Sequence, residues 1–240
     1  MKKIVETTNL TKKYKEVIAV NEVNMTIYEG DIYGFIGENG AGKSTVIRLI
    51  TNIAKPTSGG FEINLPQKLG QVAAIVETPA IHSSLTAIDN LSYQATMLGL
   101  KKSKEELEDL LREVSLEEVI NLKKKAKDFS LGMKQRLTIA LALMGEPKLI
   151  LLDEPMNGLD PVGIKKMRDL ILKLNKDNKI TFLISSHLLM ELDRVATKYG
   201  FISRGKLIKE VSAEEIHQSG LTIEEYYLET VVGGRKWLIF

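Results

Sequence analysis

An α/β fold is predicted, with a mainly parallel core sheet, an antiparallel β-subdomain ahead of it and a helical subdomain inserted into it. Three observations carry that reading. The run Ile32, Tyr33, Phe35 and Ile36 has the apolar pattern of a buried strand, and it leads through a glycine-rich turn into helical spacing at Val46, Leu49 and Ile50. After Pro147 the order strand, helix, strand returns, which is how chains build parallel sheets. Between these stretches, residues 80–145 are dominated by helix signals.

The 240 residues correspond to one large domain or a domain with a lobe, and 44% hydrophobic with 27% charged residues excludes a disordered tail. A net charge of +2 offers no broad electrostatic footprint for nucleic acid. Zero cysteines exclude disulfides, thiolate chemistry and cysteine zinc sites, and suit a reducing compartment.

In chain order, Val23, Met25 and Ile27 alternate cleanly and Glu29-Gly30-Asp31 makes a turn, so the first thirty residues predict a small antiparallel sheet. Strand, glycine loop and helix follow, the helix over Ser44 to Asn52. Thr86 with Asp89 has capping-box spacing and Gly99 stands where a helix would stop, which predicts a helix near 87–98. Ser103 with Glu106 opens a second, carrying Leu107, Leu110, Leu111 and Val114, and Ser115 with Glu118 predicts a third, short one. Leu149 to Leu152 reads as a strand, Asp160-Pro161 as the start of a helix with Ile164, Met167, Leu170, Ile171 and Leu174 on one face, and Ile180 to Ile184 as another strand. The basic start at Lys2 and Lys3 is followed by the polar stretch Glu6 to Lys13, so export is not expected. No run approaches the roughly 20 apolar residues that span a bilayer, so a membrane role is expected to work through a partner rather than by direct insertion.

Gly37-Glu38-Asn39-Gly40-Ala41-Gly42-Lys43-Ser44 matches G-x-x-x-x-G-K-S between a predicted strand and a predicted helix. In such a loop the glycines let backbone N–H groups turn toward phosphate oxygens, the lysine reaches the terminal phosphates and the serine hydroxyl ligates magnesium. Thr45 follows at the helix start. A second carboxylate is needed to hold that magnesium, and Asp153 in Leu149-Ile150-Leu151-Leu152-Asp153-Glu154 stands at a strand's carboxyl end, where open α/β sheets place ligands. Glu154, next along, can face an attacking water.

These residues resemble the ATP-binding cassette (ABC) ATPases, the nucleotide-binding subunits of ABC transporters, over nearly the whole chain. Phe129-Ser130-Leu131-Gly132-Met133-Lys134-Gln135-Arg136 resembles the family's signature segment, Asn157-Gly158-Leu159-Asp160 its D-loop, Ser185-Ser186-His187 its switch histidine, and Tyr14 the aromatic that stacks on adenine. The resemblance implies a P-loop NTPase cassette over 1–215 with its helical subdomain at about 80–145, and a C-terminal extension over 216–240. It implies ATP and Mg²⁺ as cofactors, with Tyr14, Gly37, Asn39, Gly40, Ala41, Gly42, Lys43, Ser44, Thr45, Ser130, Gly132 and Asp160 at the nucleotide. Catalysis falls to Glu154, His187 and Lys43, and metal ligation to Ser44, Asp153 and Glu77. Two cassettes, expected as a homodimer, would sandwich the nucleotide, with Ser130 and Gly132 of one completing the other's phosphate site. The implied partner is an integral membrane permease, which places the chain in the cytoplasm, peripheral to the inner face of the cell membrane, with no nucleic acid partner. A soluble ABC-type ATPase acting on DNA or ribosomes is the alternative. The reading weighs against it, because such relatives are expected to carry long coiled-coil insertions or two cassettes, and these 240 residues read as one cassette with no large insertion.

The family pattern is departed from in two places. Glu77 in Ala74-Ile75-Val76-Glu77-Thr78-Pro79 occupies the usual Q-loop glutamine position, where a carboxylate can ligate magnesium but lacks the amide's donor and adds negative charge. The signature has Leu131, Gly132 and Met133 where two glycines and a glutamine are usual, so one close backbone approach is expected to be lost while Ser130, Gly132 and Gln135-Arg136 remain. Together these departures resemble the branch of bacitracin-resistance and lantibiotic self-immunity exporters, implying export of an antimicrobial peptide or drug and antibiotic resistance. Outside the motifs, His82 and His217 read as solvent-facing. The run Lys123, Lys124, Lys125, Lys127 reads as a solvated surface, with contact to lipid headgroups or a partner as the alternative.

Overall fold

The computed structural model describes residues 1–76 and 81–233. Glu77 and residues 234–240 of the expected C-terminal extension lie outside them. The first third of the chain contains β1 (Lys3–Tyr14), β2 (Val17–Val23), β3 (Thr26–Tyr28), β4 (Ile32–Ile36), α1 (Lys43–Ile50) and β5 (Ser58–Ile63). The middle contains β6 (Val72–Ile75), α2 (Ala87–Met97), α3 (Lys104–Glu113), α4 (Leu131–Leu143), β7 (Leu149–Asp153) and α5 (Pro161–Asn178). The last third contains β8 (Thr181–Ser186), α6 (Leu189–Asp193), β9 (Lys198–Ser203), β10 (Lys206–Ser212), α7 (Ala213–Ser219) and α8 (Ile223–Tyr227). The contacts divide these elements into two compact units.

The first unit comprises Met1–Asn64, Leu152–Glu154 and the chain from Thr181 onward. Its antiparallel sheet has the order β2-β1-β3, with β5 also pairing with β1. Buried Thr7 ties the sheet to the β2–β3 turn, its hydroxyl donating to Val23 O at 2.9 Å and accepting from Met25 N at 2.8 Å. The second sheet places β4 in parallel between β8 and β9, with β10 antiparallel on the far side of β9. All five residues of β4 and all six of β8 are buried. That continuous run, rather than alternation, follows from covering a parallel strand on both faces. Gly34 admits α6, since a Cβ there would stand 2.7 Å from Leu192 Cδ2. Tyr33 is buried and donates to Glu210 Oε1 at 2.9 Å, and Lys198 pairs with the same oxygen at 3.0 Å. Burial first, and the Glu210 charge second, push the Tyr33 phenol well above its ordinary range, so it remains a donor. The segment after residue 215 belongs to this unit as far as it is described: Ile223 is buried, and the Tyr227 ring meets Phe201 edge-on at 5.5 Å between centroids.

The second unit comprises Leu65–Leu151 and Pro155–Ile180. Its helices begin where the side chains dictate. Thr86 with Asp89 and Ser103 with Glu106 form reciprocal capping boxes at α2 and α3. Ser130 caps α4, and Asp160 caps α5 with Pro161 in the first position. Helix α4 buries Leu137, Thr138, Ile139, Ala140, Leu141 and Leu143 around its circumference, the pattern of a central helix rather than a surface one. Arg136 is buried with them, its Nη1 donating to the carbonyls of Val114 and Ser115 and its Nε to Gly132 O at 3.4 Å. Gly70 and Gly145 pass so closely that a Cβ on either would stand 2.5 Å from the other's Cα. The short helix expected from Ser115 and Glu118 is a single 3₁₀ turn, Glu117–Val119, with Leu116 before it and no side-chain cap. Ser115 sits in the left-handed region at φ 55°, closing α3, so its hydroxyl is not presented to a following helix. Among the described residues, no helix is long and apolar enough to cross a membrane.

Candidate nucleotide site

The glycine-rich turn joins β4, a central parallel strand, to α1 within the first unit. Ala41 N closes it onto Glu38 O at 3.1 Å. Gly40, at φ 80°, has open space where a Cβ would be; Gly42, at φ 111°, would put a Cβ 2.5 Å from Ala19 O. Only glycine meets both demands, a left-handed backbone and a close approach by β2. Gly42 is also the N-cap of α1, which has no side-chain cap and no acid in its first turn. Its leading N–H groups are therefore those an anion at a helix start would use.

Lys43 is only 5% exposed and donates to Gly37 O at 2.6 Å and Glu38 O at 3.2 Å. Its third partner is Glu154 Oε1 at 3.2 Å, while Glu154 Oε2 lies 2.9 Å from His187 Nδ1. One carboxylate is thus held between the lysine of the turn and the histidine after β8. Glu154 itself has φ 51°, an uncommon region for a side-chain-bearing residue. Its N–H donates to Ser185 Oγ at 3.0 Å, which holds that conformation, and the Ser185 hydroxyl donates to Asp153 Oδ1 at 2.5 Å. A buried serine at the end of β8 therefore orients both acids.

A cavity of ≈ 190 Å³ opens here, lined by Ala19, Asn39, Gly40, Gly42, Lys43, Ser44, Thr45 and Glu154. Tyr14 stands at the β1–β2 hairpin of the same unit, 43% exposed, with Lys12 Nζ 4.9 Å from its ring centroid. Ser130, Gly132 and Asp160 belong to the second unit. There Ser130 Oγ accepts from Met133 N at 3.3 Å and Asp160 Oδ1 from Gly163 N at 2.8 Å. The sequence names Ser185 only as part of the Ser185-Ser186-His187 segment, with no role of its own, and Ala19 as no part of a site. The signal for Ser185 was its place two residues before His187; Ala19 offers none, since its backbone faces the turn only through the fold.

A buried lysine on a glycine-rich turn between a central parallel strand and a helix defines the class of P-loop nucleotide-binding proteins. Comparison with known proteins narrows it. The family profile described as ABC transporter matches residues 20–157. The bacitracin transport ATP-binding protein BcrA of Bacillus licheniformis is 43% identical, over 95% of this chain and 76% of that protein. The lantibiotic transport ATP-binding protein SrtF of Streptococcus pyogenes is 42% identical, over 84% of this chain and 88% of its own length. A dimeric ATP-binding cassette in a post-hydrolysis state, MJ0796 bound to ADP and Pi, superposes with a TM-score of 0.76 at 26% identity, covering 88% of this chain and 99% of that one. The chain belongs to the ABC transporter family as an ATP-binding, ATP-hydrolysing cassette.

Proposed function

We propose that this cassette powers a separate membrane permease that exports an antimicrobial peptide or a drug. Similarity to bacitracin and lantibiotic transport subunits supports that cargo class. The placement of Glu154 between Lys43 and His187 carries the mechanism. In this reading the phosphates of ATP lie on the backbone N–H groups of Gly37 to Thr45 and on Lys43, with Tyr14 against the adenine. They compete with Glu154 for the lysine, and the released carboxylate accepts a proton from the attacking water. His187 orients that water and the terminal phosphate.

The oxygen donors at hand, the Ser44 hydroxyl and the Asp153 carboxylate, suit a hard divalent cation rather than a soft one. Mg²⁺ would be held by Ser44 and Asp153, with Glu77 as a further ligand, and would neutralise charge on the phosphates. Ser130, Gly132 and Asp160 of a second copy would complete the phosphate site, so the working unit is a homodimer on the permease at the cytoplasmic face of the membrane.

The test is a tagged Glu154→Gln variant. Hydrolysis should fall on the order of 100-fold or more, while ATP binding is retained or tightened, because an amide competes less well for Lys43. Pulled down with Mg-ATP from solubilised source membranes, it should bring with it a polytopic membrane protein identifiable by mass spectrometry. Undiminished turnover would remove Glu154 as the base, and recovery of ribosomes or nucleic acid without a membrane protein would overturn the transporter reading.

A further inference from the structure

Leu131, where the family pattern carries glycine, is not idle. It is the first residue of α4, 45% exposed, and its side chain extends over the Asn157–Asp160 turn. A Cβ on Gly158 would stand 3.1 Å from Leu131 Cδ2. The turn answers in kind, because Leu159 lies over α4: a Cβ on Gly132 would stand 3.5 Å from Leu159 Cδ2. Each leucine is seated on the other segment's glycine, and Gly158 at φ 74° is in a conformation that disfavours any side chain. The two N-caps, Ser130 and Asp160, therefore flank a reciprocal packing contact inside one compact unit.

We propose that Leu131 is a positioning residue that gears the signature segment to the D-loop. Ser130, Gly132 and Asp160 then approach the phosphates held by a second copy as one body rather than as two independent loops. Packed side chains have discrete arrangements, so a shift of one turn is passed to the other instead of being absorbed. The lost glycine at this position is thereby exchanged for a mechanical link that a glycine could not supply. The inference rests on the two-copy reading above.

The experiment is steady-state ATP hydrolysis as a function of ATP concentration for Leu131→Ala, Leu131→Met, Gly158→Ala and the Leu131→Ala/Gly158→Ala double variant, with Ser130→Ala alongside. Leu131→Ala should lower kcat roughly 3- to 10-fold and leave KM within about twofold, because the nucleotide's own cradle is untouched. Leu131→Met should restore most of the loss, since its side chain reaches as far. Gly158→Ala should cost several-fold less in the Leu131→Ala background than alone, because the methyl then has nothing to meet. A wild-type kcat in Leu131→Ala, a rise in KM alone, or strictly multiplicative effects in the double variant would overturn the link. The Leu131 substitutions alter a half-exposed side chain, so an unfolding midpoint close to wild type checks that the fold is retained. If Ser130→Ala leaves turnover unchanged, the two-copy reading fails and the link with it; if Ser130→Ala abolishes turnover and Leu131→Ala does not affect it, the link alone fails.

Discussion

The phosphate turn of the first unit and the paired helix starts of the second are held in opposite ways. Around Lys43 the contacts are charges and short hydrogen bonds: the ammonium is 5% exposed, with two carbonyls and one carboxylate around it, and that carboxylate reaches the histidine. Around Ser130 and Asp160 the contacts are two N-caps and two leucines laid on two glycines, with Leu131 half in solvent. A site built from charge must satisfy every group within its own fold, because an unpaired buried ammonium is costly. A surface built from small turns and apolar contacts carries no such debt and can stand open. The difference is in keeping with the proposal that the turn cradles the phosphates of its own copy while Ser130, Gly132 and Asp160 are offered to those of a second.

The comparison breaks most severely at Lys43. Lys43→Ala removes the ammonium that links Gly37, Glu38 and Glu154, and hydrolysis should fall on the order of 100- to 1,000-fold, measured by phosphate release at saturating ATP. A drop below about tenfold would mean that the backbone of the turn, not the charge, carries the site. The second unit should instead be most sensitive to volume. Gly70→Ala places a methyl 2.5 Å from the Gly145 Cα at φ 86°. Because both neighbours are backbone and cannot rotate away, it should cost about 2–3 kcal/mol in chemical denaturation, and an unchanged midpoint would show that this contact yields. The smallest effect sharpens the picture of the helix starts. Ser130→Ala should lose about 1 kcal/mol and Ser130→Gly only a few tenths, because glycine leaves the cap exposed to water; equal losses would show that Ser130 does more for stability than cap α4.

Much of this was legible before the fold. The capping pairs Thr86/Asp89 and Ser103/Glu106, the Asp160-Pro161 start and the buried run at 32–36 all appear where local chemistry placed them. Ser115 misled because the same residue that caps a helix from extended backbone closes one from the left-handed region, and the two are identical in sequence. Strand β5 was illegible for another reason: Ser58-Gly59-Gly60 reads as loop, and it is a strand because β1 offers it a ladder from Val5 to Thr11. Likewise β9 and β10, and the segment after residue 215, were not read as parts of the first unit.

By itself, the sequence determined the features that depend on neighbours within a few residues: the phosphate turn, the helix starts and the buried strands. These follow from backbone freedom, caps and side-chain period, which are properties of a short stretch of chain. Only the tertiary structure decided that Ser185 holds both Asp153 and Glu154, that Glu154 lies between Lys43 and His187, and that Leu131 and Leu159 exchange places over each other's glycines. Those contacts join residues 27 to 111 positions apart, and their register is set by sheet pairing and helix packing that no local pattern encodes.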